Sequence, residues 1–267
     1  MDNLGKIESV SDYLNKTEGV HYLQQEDIRF FCRGQGSMLF KLRPKIGRYK
    51  YATPLINDVP DWQRKLDLMV TQFEREYITH HTTALSRKVD RLTLAQHYGL
   101  ATQLLDWTLN PLIALYFSCS SHKDQDGIVF IFNPGPSTSL NIINDADLEK
   151  DIDWHILRPM RLDQRMINQD TVFTYHKDPT KDFAEELGNH CSGVTVPADK
   201  KTIILGQLAS IGIHDAFVFP GLHTICERID SAYRGKNSYE DNKAFFPDEY
   251  IEGEAAFADE REPYLKP

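Results

Sequence analysis

Arg33 is the first residue whose chemistry stands out. It follows an apolar, β-forming run, Ile28-Arg29-Phe30-Phe31-Cys32, and sits against Gly34, Gln35 and Gly36. A guanidinium beside flexible glycines can approach a phosphate or carboxylate closely and grip it bidentately. The alternative role for such a residue is structural, tying a loop down through backbone carbonyls. The second candidate is the run from Gln96 to Thr108. An amide, an imidazole (His97), a phenol (Tyr98), two hydroxyls (Thr102, Thr108), a carboxylate (Asp106) and an indole (Trp107) crowd together there between two apolar helices. Buried polar groups need partners, so this cluster is either a hydrogen-bond network that fixes the fold or the wall of a pocket. Asp106 itself either caps the following helix or pairs with an arginine. A third group, Arg161, Arg165 and Gln169, precedes Val172-Phe173-Thr174 and offers cationic and amide contacts, with Arg161 read as part of a solvated face.

Other chemistries find little support. His80 and His81 are adjacent on a helical pattern, so their side chains diverge and chelate poorly. There is no HExxH, no GxxxxGK[ST], no GxGxxG and no GxSxG, which removes the usual metalloprotease, nucleotide-loop and serine-hydrolase signatures. The four cysteines, Cys32, Cys119, Cys191 and Cys226, form no CxxC pair, and no bound metal is expected. A net charge of -9 does not suit long tracts of phosphate backbone. Met1-Asp2-Asn3 opens polar and acidic, and no apolar run approaches the ~18 residues that span a membrane. A reduced, cytoplasmic protein without a membrane segment is expected.

The elements that must position these groups are legible in the patterning. The 267 residues are 41% hydrophobic and carry 14 Phe, 12 Tyr and 3 Trp, enough to build a substantial core. Residues 5–27 read as a helix or turn, Ile28 to Cys32 as a strand ended by Gly34 and Gly36, and Leu39 to Tyr51 as a basic surface loop. Apolar residues at helical spacing (Trp62, Leu66, Met69, Val70, Phe73, Tyr77) predict a helix over Asp61 to His81. A second helix runs from Arg91 to Tyr98 and stops at Gly99. Thr102 to Asp106 reads as a strand, Pro111 to Ser120 as a buried helix with proline at its first position, and Ile128 to Phe132 as a buried strand ended by Asn133-Pro134-Gly135. Residues 135–157 read as a polar loop with one helical turn. Val172 to Tyr175 and Lys201 to Ile204 read as strands, and Gln207 to Gly212 and Pro220 to Ala232 as helices. The organisation expected is one globular domain over 1–232 and a polar, acidic extension over 233–267.

The order of these motifs resembles the bacterial FRG-domain family. The resemblance rests on Phe31-Cys32-Arg33-Gly34-Gln35, on Leu94-Ala95-Gln96-His97-Tyr98-Gly99-Leu100 with Thr102, on Leu104-Leu105-Asp106-Trp107-Thr108, and on Asn110-Pro111-Leu112 with Ala114-Leu115-Tyr116-Phe117. Arg165, Gln169 and Phe173-Thr174 extend it, as do Leu208 to Ile213 and Phe219-Pro220. It covers roughly residues 20–230. Ala101 and Gln103 depart from it, since the family often has proline before the central threonine and arginine after it.

The resemblance implies an α+β fold with mixed or antiparallel sheets flanked by helices, and a split β core similar to that of ADP-ribosyltransferases. It implies an effector, toxin or anti-phage, that uses NAD as a substrate. Arg33, His97, Asp106 and Gln169 would then be catalytic. Arg33, Gly34, Gln35, Tyr98, Thr102, Trp107, Thr108 and Arg165 would hold the dinucleotide, with Tyr98 or Trp107 as the wall for nicotinamide. The implied partners are a macromolecular acceptor and a neutralising antitoxin or other regulatory protein. Two readings stand beside it: a non-catalytic nucleotide- or partner-binding module, and a nucleic-acid hydrolase built on His97 and Asp106.

Overall fold

The computed structural model describes residues 2–21, 30–48, 55–56, 59–80, 85–134, 144–187, 190–222 and 224–226. The chain divides into two units, Met1–Val218 and Phe219–Pro267. Of the second, residues 219–222 and 224–226 are described, and there the Ile225 amide donates to the Gly221 carbonyl at 3.1 Å. The expected acidic extension and most of the expected helix from Pro220 lie outside the described residues.

The first unit is an α+β domain built on one open sheet. Its strands are β1 (Asp2–Lys6), β2 (Phe31–Gln35), β5 (Leu104–Thr108), β6 (Gly127–Phe132), β7 (Trp154–Leu157), β8 (Thr171–His176) and β9 (Cys191–Val196), in the order β1-β9-β6-β2-β5-β8-β7. The β1–β9 pair is parallel and the other pairs are antiparallel. A small ribbon, β3 (Leu55–Ile56) with β4 (Val59–Pro60), stands apart. The helices are α1 (Val10–His21), α2 (Asp61–Glu76), α3 (Lys88–His97), α4 (Pro111–Ser120), α5 (Gln164–Asn168), α6 (Phe183–Leu187), α7 (Lys201–Ser210) and α8 (Asp215–Val218).

Strand alternation sorts the core into two layers. Leu104, Leu157 and Phe173 pack with Trp62, Leu66 and Val70 of α2 and Val89 and Leu92 of α3. Phe31, Leu105, Trp107, Phe130, Phe132 and Val172 pack with Phe183 and Leu187 of α6. The sheet is thinnest at β2–β5. Among the described residues these strands register at a single pair, Cys32 with Thr108, whereas β2–β6 and β5–β8 each register at five.

α4 closes over this thin place. Asn110 caps it, its side chain accepting from the Leu112 and Ile113 amides, and Pro111 takes the first helical position as the sequence predicts. The helix lies so close to β2 that a Cβ on Gly34 would stand 1.9 Å from the Ala114 carbonyl oxygen and 2.6 Å from the Ser118 nitrogen. Gly34 is therefore inside a strand rather than at its end, and β2 runs on to Gln35. The strand expected at Ile28 is corrected accordingly, with residues 28 and 29 outside the described set.

Three other expectations need correction. Lys201 to Ile204 is the start of helix α7, not a strand. Its β-branched run suggests extension, but Lys201, Ile204 and Leu208 are the buried positions, which is helical spacing. Lys201 is fully buried, and its ammonium donates to the carbonyls of Gly36 (2.6 Å), Ser121 (3.1 Å) and His122 (2.8 Å). The 135–157 segment does contain a helical turn at Asp145–Glu149, but it then enters the edge strand β7. The first long helix ends at Glu76 and continues as a single 3-10 turn, Tyr77–Thr79.

Candidate functional site

A cavity of about 480 Å³ opens beside the β2–β5 junction. β2 contributes Cys32, Arg33 and Gly34, and β5 contributes Asp106, Trp107 and Thr108. Gln96, His97 and Tyr98 come from the end of α3, Phe117 from α4, and Arg165 and Gln169 from α5 and the turn after it. The four residues expected to be catalytic thus share one cavity wall. A larger cavity, about 1050 Å³, lies against α2 and includes none of the expected site residues. Size alone would favour it, but most of the expected site residues, Arg33 with its buried Nε among them, line the smaller one.

Arg33 combines the two roles that its sequence context leaves open. Its Nη1 donates to the Asp106 backbone carbonyl at 2.6 Å and stands 3.7 Å from the Asp106 carboxylate. Its Nε is buried and has no hydrogen-bond partner among the described residues. Burial pushes the guanidinium down to about 10, with Asp106 opposing the shift and Arg48 adding to it, so it stays cationic at neutral pH. A buried cationic donor without a partner is costly, and an anion in the cavity would relieve that cost.

Asp106 is half-exposed, 52% for its side chain, and does not cap α4, because Asn110 does. A relay of hydrogen bonds holds its carboxylate. The Leu104 amide donates to Thr102 Oγ1 (3.0 Å), Thr102 donates to Gln96 Oε1 (2.7 Å), and Gln96 Nε2 donates to both Asp106 oxygens (3.0 and 3.2 Å). Thr102 is fully buried and does not line the cavity, so its place is behind the site. Gln35 does not line the cavity either; it is buried on β2 with Oε1 unpartnered among the described residues.

The end of α3 presents His97 and Tyr98. The helix stops in a Schellman turn, with Gly99 at φ +93, the Gly99 amide on the Gln96 carbonyl and the Leu100 amide on the Ala95 carbonyl, both at 2.9 Å. Glycine suits that left-handed position. Tyr98 is 67% exposed at the rim, and Lys45 Nζ reaches the Gly99 carbonyl at 2.8 Å. The His97 ring is buried and meets Tyr98 edge-on at 5.3 Å. Its Nε2 lies 2.6 Å from Asp163 Oδ2, while Asp163 Oδ1 caps α5 through the Met166 amide at 2.9 Å.

The remaining expected residues have structural duties as well. Trp107 is 3% exposed, and its indole N–H donates to Thr174 Oγ1 at 3.0 Å, which places Thr174 at 2.8 Å from His176 Nε2. Of the two aromatic residues expected to form the wall, Tyr98 is therefore the solvent-facing one. Thr108 Oγ1 donates to the Gln169 backbone carbonyl at 2.6 Å, and Gln169 Nε2 donates to the Val218 carbonyl at 3.0 Å. Arg165 lines the cavity and reaches the His97 carbonyl at 3.3 Å, whereas Arg161 pairs with Asp170. Sequence reasoning missed Lys45 and Asp163 as parts of this constellation. Asp163 lies 66 residues from its histidine partner, and its only local signal is that of a helix cap.

The family model described as the FRG domain matches residues 28–127. That stretch of the chain is similar to the FRG domain. The match takes in Arg33, His97, Tyr98, Asp106 and α4, and ends at the first residue of β6; Asp163, Arg165 and Gln169 lie beyond it. No curated protein and no solved structure matches the chain. Among the described residues, no group of three or more His, Cys, Asp or Glu is placed to hold a metal ion, and no helix is long and apolar enough to cross a membrane.

Proposed function

We propose that the FRG domain binds NAD in the β2–β5 cavity and transfers its ADP-ribosyl group to a macromolecule. One observation carries this reading: Arg33, whose buried Nε has no partner among the described residues, stands 3.7 Å from the half-exposed Asp106 carboxylate on a single cavity wall. Arg33, Lys45 and Arg165 supply the charge that a diphosphate needs. Tyr98 offers a ring for nicotinamide. Loss of nicotinamide leaves positive charge on the ribose carbon, and a carboxylate aimed at that point stabilises it electrostatically. Asp106 fits that role better than Gln169, which is uncharged and whose amide nitrogen is committed to the Val218 carbonyl. In this reading the protein is a toxin or anti-phage effector of the cytoplasm, restrained by a neutralising partner.

The commitment of Gln169 also favours a second reading, a module that binds the dinucleotide without cleaving it. Calorimetric titration with NAD, combined with chromatography of released nicotinamide, separates the two. The wild type is expected to bind and cleave. Arg33→Met should weaken binding by about tenfold or more. Asp106→Asn should bind while cleaving about a hundredfold more slowly. Binding without release leaves the module reading, and no binding at all removes NAD.

A further inference from the structure

His97 is a buried imidazole that meets a carboxylate at its Nε2 and belongs to the lining of the cavity. Its side chain is 4% exposed. At 2.6 Å, Asp163 accepts from Nε2–H, the tautomer a carboxylate selects. That leaves Nδ1 with its lone pair as the ring nitrogen available to a bound molecule. Asp163 is itself held by the Met166 amide at 2.9 Å, so the pair is rigidly placed. Nothing in the dinucleotide reading uses this arrangement: Arg33 and Asp106 account for the diphosphate and the developing charge, and neither takes up a proton.

We propose that His97 is the base that receives the acceptor's proton, that Asp163 is its positioning residue, and that the acceptor is a neutral hydroxyl. The proposal rests on the NAD reading and deepens it. As the glycosidic C–N bond breaks, its electron pair leaves with nicotinamide, which becomes neutral. The hydroxyl oxygen donates a lone pair to the ribose carbon, its proton passes to His97 Nδ1, and the imidazolium formed donates through Nε2–H to Asp163. No electrons are exchanged with a third partner. The charges around the cavity select the acceptor. A guanidinium or ammonium acceptor would enter beside Arg33, Arg165 and Lys45, where like charges repel. A carboxylate acceptor has no proton to give at neutral pH and needs no base. A hydroxyl becomes strongly acidic only as it bonds to the ribose carbon, which is when an imidazole can take its proton.

The groups that face His97 agree with this assignment. Burial pushes the imidazole pKa below its ordinary 6.5, Asp163 and Asp106 push it back up, and Arg165 pushes it down. The ring is therefore neutral, and competent as a base, at neutral pH.

Asp163→Asn tests the pair, because asparagine caps a helix as well as aspartate does while removing the charge and the oxygen that accepts from Nε2–H. The probes are NAD with water as acceptor and NAD with added methanol, the latter giving methyl ADP-riboside, so the two hydroxyl sources are distinguished by product. The wild-type rate should fall as pH drops through the His97 pKa. In Asp163→Asn that limb should move to lower pH by about 1 unit, and the rate of methanol capture should fall at least about tenfold. A slower variant with an unmoved limb would show a structural role only and overturn the proposal. A second arm needs no NAD. Long-range ¹H–¹⁵N spectra of the ¹⁵N-labelled wild type should show His97 as the Nε2–H tautomer, and an Nδ1–H tautomer would overturn the proposal whatever the enzyme does. A wild type that shows the expected tautomer but releases no nicotinamide would sink the NAD reading and the base role with it, while the His97–Asp163 pair would stand as structure.

Discussion

His176 makes the domain's stability depend on pH in a way that can be worked out beforehand. It is 4% exposed. Its Nε2 faces the Thr174 hydroxyl, which already accepts the Trp107 indole N–H, so the hydroxyl proton is best placed toward a neutral imidazole. Phe183 meets its ring edge-on at 4.5 Å. Burial first, and then the Arg33 cation, push its pKa from 6.5 to about 3. Between those values the unfolded chain binds a proton that the folded chain refuses. The stabilisation is therefore complete above the unfolded value of 6.5 and is lost as pH falls from there toward 3. From about pH 7.5 to about pH 5, two-state linkage with these two pKa values gives a loss of about 2 kcal/mol from this residue alone.

The assay is urea denaturation of the wild type and His176→Gln at both pH values. Glutamine Oε1 can accept from Thr174 in place of Nε2 but does not titrate. Both proteins carry the shifts of His97 and His155, so the difference between their pH slopes isolates His176. The wild type should lose about 2 kcal/mol more than the variant over this interval. Equal losses would refute the reasoning, because they would mean that His176 accepts its proton as easily folded as unfolded.

Two further outcomes follow from the packing around the site. Gly34→Ala should cost about 3 kcal/mol or more in denaturant unfolding, since the new methyl group meets the α4 backbone at Ala114 and Ser118 rather than a side chain that can turn aside; a change under about 0.5 kcal/mol would show that α4 is free to shift. Lys201→Met should cost about 3 kcal/mol in the same assay by leaving three carbonyls without their shared donor, and an unchanged midpoint would show that water replaces the ammonium.

Much of the frame was legible because strong local signals agree with tertiary packing. Pro111 after Asn110, the apolar run to Ser120 and Gly99 after Tyr98 each have one satisfactory local structure, and α4 and the end of α3 at Gly99 appear where the sequence predicts them, whereas the cap of α4 is Asn110 and not the Asp106 that the sequence offers. The signals that misled were those in which packing overrode a local preference. Gly34 looks like a strand terminator because glycine usually is one, yet here it is required within the strand by a helix that only the tertiary fold brings near. Thr202-Ile203-Ile204 looks extended, yet the contact of Ile204 and Leu208 with the core favours a helix. At the site, the block from Gln96 to Thr108 marked the place, but its division of labour was invisible. Thr102 and Trp107 face inward, and Asp163 becomes important only because α5 folds back against α3.

The position of the cavity follows from how α4 connects β5 to β6. In the sheet β2 lies between those two strands, so the connecting helix has to cross it, and it begins only three residues after β5 ends at Thr108. β5 runs antiparallel to β2, which places Thr108 opposite Cys32, and the register stops there. Continuing it would set Asp106 opposite Gly34, but the Asp106 carbonyl accepts instead from the Arg33 side chain. A backbone acceptor left by the interrupted ladder needs a donor, and a long guanidinium can reach it from the neighbouring strand. At the same junction the Asp106 carboxylate is half-exposed and the Arg33 Nε is buried without a partner among the described residues. Anion grip and structural tie are thus the two ends of one side chain: Nη1 closes the sheet, and Nε is left for whatever fills the gap.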